Sequence, residues 1–119
     1  LWLHICIALR KWSLGEKFGK LLVEQEPDYE LNWGRYGICA EKSRGFKGYL
    51  DVYTEATSLY PQNASFHYRL ARALCGLGRI DEGREALALG LALDPDYRRF
   101  ALDEPVFSGI WEEFAGVED

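Results

Sequence analysis

The sequence predicts an all-α protein, a stack of antiparallel helix pairs packed one after another. Three observations predict it. Prolines stand at 27, 61 and 95, two successive intervals of 34 residues. Two of them open the same tripeptide, Pro27-Asp28-Tyr29 and Pro95-Asp96-Tyr97, and the third begins Pro61-Gln62-Asn63, a proline followed by turn or capping residues. Between prolines, apolar residues recur at helical spacing in two runs parted by a glycine-containing turn.

Other slots keep the same interval. Trp33 and His67 share one, and Trp2, Tyr36 and Leu70 share another, all three large. Beside it sit Leu3, Gly37 and Ala71, the last two small. Further slots hold Gly15, Tyr49 and Gly83; Gly19, Tyr53 and Leu87; and Leu22, Ala56 and Gly90. Large residues at one slot and small ones at another place bulky side chains in recesses where two helix backbones approach closely.

The elements follow in order. Leu1–Leu9 is apolar, but it has no basic leader and no small-residue cleavage site follows it. It is read as a helix of a first unit lacking its opening residues, which leads one to expect a longer parent protein. Glu30–Lys42 and Phe46–Leu59 form the second pair, with Ser43-Arg44-Gly45 as the turn. Ala64–Gly76 opens the third pair and carries Phe66, Leu70, Ala73 and Leu74 in helical register, with Leu77 just beyond. Gly76-Leu77-Gly78 breaks it, and Asp81 and Glu82 suit the positive end of the next helix. That helix runs through Ala86, Leu87, Leu89, Gly90 and Leu93 and stops at Asp94-Pro95, because the residue before proline avoids helical dihedrals. Asp96–Leu102 could begin another first helix. Asp103 as N-cap and Pro105 early in a helix then predict a closing helix. Its stripe of Phe107, Ile110, Trp111 and Phe114, flanked by Glu112 and Glu113, would cover the last repeat. The expected organisation is a single domain over 1–119: a truncated repeat at 1–27, repeats at 30–61 and 64–95, and a capping segment at 96–119.

The stretch Ala64–Pro95, with its turn Leu77-Gly78-Arg79-Ile80-Asp81-Glu82-Gly83 and its ending Leu93-Asp94-Pro95, resembles a tetratricopeptide repeat. Glu30–Pro61 is a looser copy that keeps Trp33, Gly37, Ala56 and Pro61, with Tyr49 where the family prefers alanine or glycine. Leu1–Pro27 resembles a third copy, in which Leu3 and Gly19 depart from the usual types. The resemblance implies a right-handed superhelix whose first helices line a concave groove. It implies a scaffold or adaptor that holds a protein or peptide. No enzyme activity is expected, because the residues offer no nucleophile elbow, phosphate loop or helical zinc spacing.

On that assignment the groove is lined by residues of the first helices not used for packing. Arg35, Ile38 and Lys42 come from the second unit, beside Leu31, Gly34 and Glu41. Tyr68, Arg69 and Arg72 come from the third, beside Ser65 and Cys75, and Arg98 or Arg99 continues the surface. Arg35 and Arg69 share a slot and are expected to stack on successive units, with Arg72 one turn below. Guanidinium groups form fork-like bonds to carboxylates, so the expected ligand is an acidic, partly extended peptide. The competing reading pairs these arginines with glutamates on neighbouring helices. Some family members clamp the C-terminal carboxylate of chaperones with lysine and asparagine. Those slots hold Gly34, Ile38, Tyr68 and Arg72 here, with His4 in the partial unit, and only Arg72 suits that role.

Composition points the same way. The net charge is −5 and the sequence pI about 5.1, which disfavours nucleic acid, whose phosphates call for a basic surface. A helical-hairpin RNA reader of the pentatricopeptide type is the runner-up, and a regulatory segment of a larger enzyme is a third reading. Cys6, Cys39 and Cys75 fit no zinc or redox spacing and are expected as packed thiols in a reducing, cytoplasmic compartment. His4 and His67 lack a partner at the spacing of a helical zinc site, so no metal and no cofactor are expected. No apolar run reaches the roughly 18 residues of a membrane span. Self-association through the apolar edge of Leu1–Leu9 is a further expectation.

Overall fold

A computed structural model describes residues 2–112. The described residues form helices and the turns between them, without strands. The helices are α1 (Trp2–Ala8), α2 (Trp12–Gln25), α3 (Glu30–Arg44), α4 (Phe46–Leu59), α5 (Ala64–Gly76), α6 (Ile80–Leu93) and α7 (Tyr97–Asp103), followed by a 3-10 helix, Pro105–Ile110. Helices adjacent in sequence pack as pairs, α1 on α2 and α5 on α6. Contacts group the chain into two compact units, Leu1–Ala56 and Thr57–Asp119.

The packing in the first unit explains the alternation of large and small slots. A Cβ added to Gly37 would lie 2.8 Å from the Tyr53 ring, so the bare backbone of α3 is the recess that the α4 tyrosine enters. A Cβ on Gly19 would lie 2.8 Å from Cβ of Tyr36, and α2 meets α3 in the same manner. Gly19 departs from the resemblance, and Tyr36 is the reason: the glycine leaves room for a phenol. Tyr49 is accommodated differently. Its ring packs on Tyr53 at 4.9 Å, and the close approach moves one residue back to Gly48, whose Cβ would press on the Ala40 carbonyl oxygen. In the second unit, Gly83 of α6 faces Cys75, and Gly90 faces the backbone at Tyr68 N and Ala64 O.

The turns have identifiable chemistry. Asn63 caps α5, its Oδ1 accepting from Phe66 N at 3.0 Å. Helix α3 runs on to Arg44, beyond its expected end, so Gly45 alone makes the corner, at φ +70°. Helix α5 ends with Arg79 N bonded to Leu74 O and Gly78 N to Cys75 O, with Gly78 at φ +80°. The same pattern ends α1, where Lys11 N bonds Cys6 O and Arg10 N bonds Ile7 O. There the left-handed residue is Arg10, at φ 57°, in the repeat slot that Gly78 fills. A side chain in that conformation costs about 1–2 kcal/mol. Arg10→Gly is therefore expected to stabilise the first unit by roughly 1 kcal/mol, less the entropy glycine adds to the unfolded chain. A denaturant melt checks it, since a lower midpoint would contradict this reading of the turn.

The closing segment differs from the expectation. Asp103 is the last residue of α7 and not a cap, and Glu104 leads into a 3-10 helix in place of an α-helix. A 3-10 helix brings residues three apart to one edge. Phe107 and Ile110 are three apart, and both are buried. The tighter winding thus puts both side chains inward. Trp111 joins them, its indole N–H donating to Ala101 O at 2.8 Å. Phe114 and Glu113 lie outside the described residues.

All three cysteines are buried as free thiols. Burial pushes the Cys39 thiol up to about 11, with Cys6 and Glu16 adding to the effect. Burial also raises Cys75, partly opposed by Arg84. In the unfolded chain a thiol ionises near pH ~8.5. The neutral Cys39 therefore contributes stability that is complete below that pH and is lost as pH rises toward 11. Tyr36, raised by burial and then by Glu55 and Glu16, acts in the same direction at higher pH. The thermal midpoint should fall across this alkaline window more steeply in the parent than in Cys39→Ala. Equal slopes would show that the thiol ionises alike in the folded and unfolded chains, so that folding does not shift it.

Candidate partner-binding surface

In the first unit, α3 buries Asn32, Trp33, Tyr36, Gly37, Cys39 and Ala40. Leu31, Arg35, Ile38 and Lys42 fall on the opposite side, at the i, i+4, i+7 and i+11 positions of one helical stripe. Leu31, Ile38 and Lys42 are exposed and Arg35 is half-buried. The structure thus gathers three expected site residues, Arg35, Ile38 and Lys42, on one face together with the exposed Leu31. At the C-terminal end of the same helix, Arg44 is engaged internally. Its guanidinium holds Glu16 of α2 at 2.6 Å and Asp51 of α4 at 2.8 Å. These hydrogen bonds hold its pKa well above the ordinary arginine value.

In the second unit the corresponding side of α5 is covered. Tyr68 is only 8% exposed. Its ring packs on Tyr97 at 5.0 Å and meets Phe107 edge-on at 5.5 Å. Arg72 Nε lies 3.5 Å from Glu104 Oε1, and both side chains are about a third exposed (29% and 33%). Arg69 is half-buried, and its Nε donates to Ser65 Oγ at 3.3 Å. Tyr68, expected to offer apolar contact to a partner, already contacts the chain's own closing segment. Cys75, expected on the same surface, is buried against Gly83. Arg99 is exposed on α7, with its guanidinium 5.2 Å from the Phe100 ring centre.

Residues 50–102 match the family model for the tetratricopeptide repeat. The tetratricopeptide match takes in α5 and α6 whole, and with them Tyr68, Arg69, Arg72 and Arg99. Arg35, Ile38 and Lys42 precede it. No curated protein matches the chain.

One feature of the repeat escapes a reading by size. Trp33 and His67 share a slot, and each donates a ring N–H to a proline carbonyl six residues earlier. Trp33 Nε1 reaches Pro27 O at 2.8 Å, and His67 Nε2 reaches Pro61 O at 2.8 Å. A carbonyl oxygen can only accept, so Nε2 of His67 carries the proton. The matching signal in the sequence was chemical: tryptophan and histidine both own a ring N–H. Phe107 packs on the last repeat as expected, but the contacts of Tyr97 and Glu104 with α5 were missed. The trace of Glu104 in the sequence was a carboxylate beside Pro105.

No group of three or more His, Cys, Asp or Glu that could hold a metal ion occurs among the described residues. No described helix is long and apolar enough to cross a membrane.

Proposed function

We propose that this chain is a protein-interaction module that holds an acidic peptide segment of a partner against the arginine-bearing faces of its first helices. The tetratricopeptide match supports a general protein-interaction role. The observation that carries the finer reading is the α3 stripe, where Arg35 and Lys42 alternate with Leu31 and Ile38 in a protein of net charge −5. Alternating cationic and aliphatic side chains suit a segment that presents carboxylates between apolar residues. On α5, Arg69 and Arg72 supply cations of the same kind. Arg72 already holds one carboxylate, that of Glu104, so it accepts such a group in this setting.

Charge reversal tests the reading. A partner segment is first identified by affinity capture and reduced to a synthetic peptide. Its affinity is then measured for Arg35→Glu/Lys42→Glu and for Arg69→Glu/Arg72→Glu. Hydrogen bonds to charged groups contribute about 1.5–3 kcal/mol each, so losing two should weaken binding more than about tenfold. The Arg72–Glu104 pair is partly solvated and such pairs stabilise little, so both variants should stay folded. Unchanged affinity in both would refute the site.

A further inference from the structure

The closing segment shows what the α5 face accepts. Three contacts define it: the Glu104 carboxylate beside the Arg72 guanidinium, the Phe107 ring edge-on to Tyr68, and the Tyr97 ring against Tyr68. Glu104 and Phe107 are three residues apart, and Pro105 fixes the backbone between them. Their engagement is unequal. Phe107 is fully buried, whereas the ion pair at 3.5 Å is about a third exposed, and Glu104 Oε2 is buried with no hydrogen-bond partner. An aromatic anchor with a weakly satisfied carboxylate is the pattern of a ligand that a better-fitting one can replace.

We infer that Glu104–Phe107 is an internal ligand, and that the α5 face recognises a peptide carrying a carboxylate three residues before an aromatic ring. The inference rests on the acidic-partner reading and sharpens it. The partner offers Glu-x-x-Phe or its Asp equivalent. Its phenyl ring replaces Phe107 against Tyr68, and its carboxylate replaces Glu104 at Arg72. The internal copy competes because tethering gives it a high effective concentration, in the millimolar range for short linkers. A free peptide of equal intrinsic affinity therefore binds the intact chain weakly, and binds well once the internal copy is impaired.

The probe is the chain's own segment, Leu102–Gly109, made as a fluorescent peptide and titrated by anisotropy. Weak binding is expected to the parent, and binding at least about tenfold tighter to Glu104→Ala and to Phe107→Ala. Adding Arg72→Glu to Glu104→Ala should return affinity to the parent level. A peptide with its phenylalanine changed to alanine should bind none of them. Circular dichroism reports folding; if Phe107→Ala unfolds, Glu104→Ala, which leaves the buried ring in place, decides alone. The inference is overturned if the folded variants bind the peptide no more tightly than the parent. It is also overturned if the peptide lacking phenylalanine binds them equally, a result that leaves the acidic-partner reading standing. Loss of that reading shows separately, as indifference of a captured partner to charge reversal on both α3 and α5.

Discussion

Trp33→Ala is expected to destabilise the first unit by about 3–5 kcal/mol, the range for truncating a large buried aromatic. Trp33 is only 1% exposed and among the largest fully buried side chains. Its loss removes the ring from beside Tyr36, at 6.3 Å, and takes the N–H from the Pro27 carbonyl. A domain of this size has only about 5–15 kcal/mol in total, so the unit should melt well below the parent. Trp33→Phe separates the two contributions. It keeps most of the ring and loses the N–H, at a net cost of about 1 kcal/mol for the hydrogen bond. His67→Phe makes the same deletion in the second unit, where the bond to Pro61 O is equally short. Chemical denaturation measures all three. If Trp33→Ala cost less than about 1 kcal/mol, the slot would not be a packing anchor.

Gly48→Val is the second large effect, with an expected loss of roughly 3 kcal/mol. A Cβ at Gly48 would press on the Ala40 carbonyl oxygen, with the Ala40 carbonyl carbon at 3.0 Å. These are backbone atoms in the middle of α3, which cannot swing aside as a side-chain tip can. Helices α3 and α4 must separate, and overpacking of this kind typically costs 1–3 kcal/mol, occasionally more. Valine also loses rotamer freedom in a helix. Gly34 is the control. It lies in α3 with nothing within 4 Å of an added Cβ, so Gly34→Ala should gain about 0.5–1 kcal/mol from helix propensity alone. Opposite signs at two helical glycines would show that backbone approach, and not glycine content, sets the helix spacing. Destabilisation by both would contradict it.

These residues also show what the sequence discloses and what it hides. The interval of 34 between prolines exposed the helix pairs, and α5 begins and ends where its turn residues place it. Recesses were legible where a large and a small slot face each other, as with Tyr53 and Gly37. The recess at Gly48 was not, because Tyr49 occupies the expected small slot and the close approach shifts by one residue. Register of that sort depends on the local separation of two helices, which no single helix encodes. The hydrogen-bonding role shared by Trp33 and His67 was hidden by their difference in size.

The surface was legible in part. Periodicity alone places Leu31, Arg35, Ile38 and Lys42 on one face of α3, and they lie there. Periodicity places Tyr68 and Arg72 equally well, yet α7 and the 3-10 helix bring Tyr97, Phe107 and Glu104 onto them. A helical stripe reports which side of a helix faces away from its own partner. It does not report which residues of a later segment return to that side; here they are Tyr97 of α7, Glu104 at its end and Phe107 of the 3-10 helix.

A chemical-shift map tests the proposed peptide site on α3 and on α5. Isotope-labelled protein is titrated with the captured partner peptide, and the amide and side-chain signals that move are assigned. Shifts are expected at Arg35, Ile38 and Lys42 on α3 and at Arg69 and Arg72 on α5, with Tyr68 and Phe107 moving as the closing segment is displaced. Shifts confined to the outward sides of α2, α4 and α6 would contradict that site.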